Sequence, residues 1–96
     1  MRSSSYRDDW IELLADPVQA GLYLADCFNE SDKAFLLGLR DVVAACGGVT
    51  KLAKATGLSR EALHRTLSTR GNPRLSSLSV ILRALGLRLS FAPAQP

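Results

Sequence analysis

The sequence predicts an all-α domain of about five helices that closes with one short C-terminal β-strand. Three observations carry that expectation. From Asp16 to Leu85 apolar residues recur at intervals of three and four, the period of helices with one buried face. The runs are punctuated by residues that start and stop helices: Asp16 with Pro17 and Ser31 at starts, Gly47 with Gly48 and Gly86 at stops. After Gly86 the period changes to two, as Leu87, Leu89 and Phe91 alternate with Arg88 and Ser90.

Residues 1–15 read as a partly disordered lead. Its first nine residues are polar and lack period, and Trp10, Leu13 and Leu14 have helical spacing over a run too short to stand without docking. Asp16 and Pro17 then open a helix, because Asp caps free amides and Pro fits a first turn where its missing donor costs nothing. Val18, Leu22, Ala25 and Phe28, flanked by Leu24, form the apolar stripe expected to face inward, to about Asn29. Ser31 caps the next helix, with Phe35, Leu36, Leu39, Val42, Val43 and Cys46 inward, and Gly47 and Gly48 end it.

Val49 to Leu67, VTKLAKATGLSREALHRTL, reads as two short helices joined by a tight turn. Ala53 lies four residues before Gly57, and Leu63 and Leu67 lie five and nine residues beyond Leu58, the spacing of a helix-turn-helix. A small side chain at Ala53 lets the helices cross closely, and Gly57 supplies a left-handed backbone conformation. Leu52, Leu58, Leu63 and Leu67 point to one side, which leaves Arg60, Glu61, His64, Arg65 and Ser68 on the other. Ser59 is the expected cap of the second helix. Arg70 to Pro73 is a turn, and Leu75, Leu78, Leu82 and Leu85 mark a last helix before Gly86. The strand needs a mate, and no other stretch alternates, so the mate is expected in another copy of the chain or in a partner's sheet edge.

Ninety-six residues suit a single domain with one modest core. No apolar run approaches a membrane span, and the opening MRSSSYRDD has no apolar signal region, so a cytoplasmic location is expected, with Cys27 and Cys46 reduced. The net charge of +3 hides an asymmetry. Residues 1–48 hold four cations against eight acids, a balance of −4, whereas residues 49–96 hold eight cations against Glu61 alone, a balance of +7. The basic region 49–91 suits a polyanion, since each neutralised phosphate releases counterions. The acidic region 16–48 would repel DNA and suits a basic protein instead.

Arg60, Glu61, His64 and Arg65 are the candidates for reading bases, because the first turns of such a helix lie deepest in a major groove. Arg pairs with guanine there and Glu accepts from cytosine. Thr50, Lys51, Lys54, Ser59, Arg70 and Asn72 complete the candidate DNA-contacting set. The bland counterpart is a solvated charged helix face. Trp10, Leu13, Leu14 and Tyr23 are candidate anchors for a protein partner, or else fill the domain's own core. His64, Cys27 and Cys46 are too isolated for a zinc site, so no metal or cofactor is expected. No nucleophile with its base, no carboxylate pair and no phosphate loop is evident, so no catalytic residue is assigned.

With Gly47 and Gly48 upstream and GNPRLSSLSVILRALGLRL downstream, the spacing resembles the Cro/repressor helix-turn-helix, a lambda-repressor-like arrangement. More closely, the chain is similar to the small antitoxins called probable addiction module antidote proteins. The likeness covers about Asp16 to Phe91 and is most specific across Gly47 to Leu89. It implies an antitoxin of a type II toxin-antitoxin module that binds a RelE/ParE-like toxin directly. It also implies repression of its own operon, as a homodimer on a palindromic operator in double-stranded DNA. Two other readings stay open at this point: a stand-alone Cro-type repressor without a toxin, and a protein-interaction module that does not bind DNA.

Overall fold

The computed structural model describes residues 9–70 and 72–95. Residues 1–8 of the expected lead, Gly71 of the expected turn and Pro96 of the tail lie outside the described residues. Among those described, six helices form: α1 over residues 9–13, α2 Pro17–Glu30, α3 Asp32–Ala45, α4 Gly48–Thr56, α5 Arg60–Thr66 and α6 Leu75–Ala84. α2 packs on α3, and α4 packs against α3, α5 and α6.

Local chemistry sets the helix ends. Ser31 accepts from the Ala34 amide at 2.9 Å to start α3, and Ser59 accepts from the Ala62 amide at 3.0 Å to start α5. Asp16 accepts from Val18 at a longer 3.4 Å, with Pro17 in the first turn of α2. One core then draws on all of these helices. Leu39 and Val42 of α3, Leu63 of α5 and Ile81 of α6 are fully enclosed, with Leu14, Leu24, Leu52, Leu67, Leu82 and Leu85 buried around them.

The architecture corrects the expectation in two respects. The helix count is six among the described residues, because the run at Trp10 forms its own helix. Leu14, directly after it, is buried, and the Trp10 ring meets Tyr23 edge-on at 5.2 Å. The second correction is the strand at Leu87 to Phe91, which does not form. Among the described residues there is no strand.

Hydrogen bonding explains why the strand is lost. Gly86, at φ 82°, donates to Arg83 O at 3.0 Å, and Leu87 donates to Leu82 O at 2.8 Å. That pair of bonds is a Schellman cap, so the first amide of the alternating run closes α6 instead of a ladder. Leu87 packs against the core, while Leu89 and Phe91 stay exposed on backbone without regular secondary structure. A period of two over five residues therefore reflects one half-buried leucine and two exposed apolar residues.

The inward face of α2 also differs from the expected stripe. Ala20 and Leu24 are buried, and Tyr23 and Cys27 are half-buried, whereas Val18, Leu22, Ala25 and Phe28 face solvent. Gly38 of α3 presents no side chain to Cys27 and Tyr23 on this buried side of α2. On α6 the face is shifted likewise: Leu75 is exposed, and Ile81 joins Leu82 and Leu85 inside.

Candidate functional site

The unit formed by α4 and α5 is positioned by its turn. Gly57 has φ 78° and donates to Ala53 O at 2.9 Å, which ends α4. No atom lies within 4 Å of where a Cβ at Gly57 would stand, so the demand for glycine here comes from backbone conformation and not from crowding. Thr56, which the sequence reading passed over, pins the same turn from both sides. Its hydroxyl donates to Leu52 O at 2.8 Å and accepts from the Leu58 amide at 3.2 Å. Threonine is a known turn-former by such local bonds, and that is the signal by which it could have been found.

Beyond the turn, Leu63 and Leu67 anchor α5 in the core, and Arg60, Glu61, His64 and Arg65 are all exposed. Ser59 is occupied as the α5 cap. Thr50, Lys51 and Lys54 are exposed on α4, the Lys51 stem lying over Gly47. Arg70 and Asn72 are exposed in the loop before α6, where the Arg70 amide donates to Ser68 Oγ at 3.2 Å.

An open cleft of about 430 Å³ lies between α3, the start of α4 and α5. Val43, Ala44, Val49 and Leu67 contribute its apolar lining, and Arg40, His64 and Ser68 its polar lining. Arg40 belongs by sequence to the acidic region, yet folding brings it to the same cleft as His64. Charge counting along the chain could not reveal that, because the pairing depends on how α3 packs on its neighbours.

The four residues expected as protein anchors separate. Leu14 is core, and Leu13 is exposed. Trp10 and Tyr23 hold each other, and the Tyr23 hydroxyl donates to Asp41 Oδ2 at 2.9 Å, linking α2 to α3. Burial, then this bond to a carboxylate, pushes the Tyr23 phenol well above its usual range. The neighbouring Cys27 thiol is also raised, chiefly by burial and against a hydrogen bond with Tyr23. Cys27 and Cys46 are both free thiols.

No group of three or more His, Cys, Asp or Glu side chains suited to a metal occurs among the described residues. Nor is any described helix long and apolar enough to cross a membrane. Fold and surface together define a small all-helical protein with a short basic two-helix unit on one part of its core and an acidic helical pair on another.

Residues 6–93 match the family described as probable addiction module antidote proteins, and the chain belongs to that family. The family role is that of an antitoxin, with a toxin of some kind as its partner. The chain is also 29% identical over 80 residues to an uncharacterized protein of Haemophilus influenzae, covering 83% of this chain and 82% of the relative. No solved structure matches.

Proposed function

We propose that this antitoxin neutralises a RelE/ParE-like toxin by direct binding and represses its own operon through sequence-specific DNA binding. The observation that carries the DNA-binding part is the split of α5. Leu63 and Leu67 are committed to the core, while Arg60, Glu61, His64 and Arg65 are exposed together after a turn pinned by Gly57 and Thr56.

In this reading α4 and α5 are a helix-turn-helix, and α5 enters the major groove. Arg60 and Arg65 read guanine edges, Glu61 accepts from cytosine or orients an arginine, and His64 adds a further edge contact. Thr50, Lys51, Lys54, Ser59, Arg70 and Asn72 contact the backbone, and Arg40, which lines the same cleft as His64, joins them. A homodimer in the cytoplasm sets two copies of α5 about 34 Å apart on a palindromic operator. The acidic α2–α3 pair, distant in charge from this surface, serves the toxin.

Two measurements test the reading. Purified protein is titrated against its own promoter DNA and against a scrambled duplex, and a preference for the promoter is expected. The chain is also co-expressed with the product of the neighbouring open reading frame and passed over a sizing column. Co-elution is expected, and elution of this chain alone with promoter binding intact would leave a stand-alone repressor.

A further inference from the structure

α2 carries an apolar stripe that the fold leaves uncovered. Val18, Leu22 and Phe28 are 67%, 62% and 60% exposed, and Ala25 between them is exposed as well. At roughly 100° per residue these four fall within an arc of about 120° that borders Leu24 at its Phe28 edge and lies across the helix from Ala20. A single exposed leucine is ordinary, but an aligned set on one helix is not. The Phe28 ring is also held in place. It meets Phe35 of α3 edge-on at 5.5 Å, so less freedom is lost when it is covered.

Charge chooses the occupant. α2 holds no cation, and its two acids, Asp26 and Glu30, are both exposed and follow each other along one edge of the stripe. A two-fold pairing of this face with itself would concentrate four carboxylates and no α2 cation at one interface, which disfavours a second copy. A protein with apolar side chains rimmed by Lys or Arg matches both the stripe and its edge. We propose that the Val18–Leu22–Phe28 face of α2, with Asp26 and Glu30, is the surface that receives a basic protein partner. This rests on the antitoxin reading above and makes that partner the toxin.

The probe is the purified product of the neighbouring open reading frame, titrated calorimetrically with the full chain and two double variants. Val18→Ser with Leu22→Ser is expected to weaken binding tenfold or more, leaving the thermal melt and promoter affinity unchanged. Asp26→Lys with Glu30→Lys removes no apolar contact, and is expected to weaken binding and flatten its dependence on salt. If wild type binds and both variants bind equally well, the face is overturned while the antitoxin reading stands. If wild type does not bind the probe, both fall. If the serine variant instead splits the free chain into a smaller species on sedimentation, the stripe is a contact between copies and the proposal is overturned.

Discussion

The Sγ of Cys27 on α2 lies 2.7 Å from the point where a Cβ at Gly38 of α3 would stand, and Tyr23 Cε2 lies 3.2 Å from it. A methyl group there would force Cys27 or Tyr23 to shift, so the packing of α2 on α3 at this point depends on residue 38 having no side chain. Val18, Leu22 and Phe28 of α2 stay exposed.

Gly38→Ala is expected to destabilise the protein by about 1–3 kcal/mol through overpacking, partly offset by the better helix propensity of alanine. Adding Cys27→Ala should recover much of that loss. A double-mutant cycle by urea denaturation checks this, and strictly additive effects would show that the two positions do not meet.

At the turn, Gly57→Val is expected to cost about 2 kcal/mol, since a β-branched residue is forced to positive φ. Thr56→Val keeps the shape but removes two hydrogen bonds, and should cost about 1–2 kcal/mol. Thermal melts read both. A Gly57→Val protein as stable as wild type would mean that the left-handed turn is not required.

Stability should fall on the alkaline side. Because the Tyr23 phenol is raised in the folded chain, the unfolded chain loses that proton first, at about pH 10. The contribution of Tyr23 is thus complete below about pH 10 and is lost as pH climbs toward the folded value. The raised Cys27 thiol acts in the same direction. Tyr23→Phe should cost about 1 kcal/mol near neutrality and flatten the alkaline limb in denaturation midpoints measured from pH 7 to 11. An unchanged limb would remove Tyr23 as its source.

For DNA, Arg60→Ala and Arg65→Ala are each expected to cost about 1–3 kcal/mol and to relax sequence preference. Arg40→Gln should instead weaken binding about equally on promoter and scrambled duplex, and lower the slope of log affinity against log salt by about one. Fluorescence anisotropy at several salt concentrations distinguishes these behaviours. An Arg40→Gln protein with an unchanged slope would remove that residue from the backbone contacts.

Much of this was legible in one dimension because it depends on local chemistry. Ser31 and Ser59 cap helices through bonds three residues long, and the left-handed turn at Gly57 depends on a residue without a Cβ. Helical period placed Leu39, Val42, Leu63 and Leu82 in the core, and it left Arg60, Glu61, His64 and Arg65 on the outward side of α5. Three things required the packed chain. The face that α2 buries was decided by packing against the rest of the chain, since both sides of α2 carry apolar residues and period alone cannot rank them. The fate of Leu87 to Phe91 was decided by the cap of α6, which takes the first amide a strand would need. The cleft shared by Arg40 and His64 was decided by the packing of α3 and α5 on α4. Local propensity acts over a few residues, whereas each of these outcomes depends on which distant side chain, or absence of one, stands opposite.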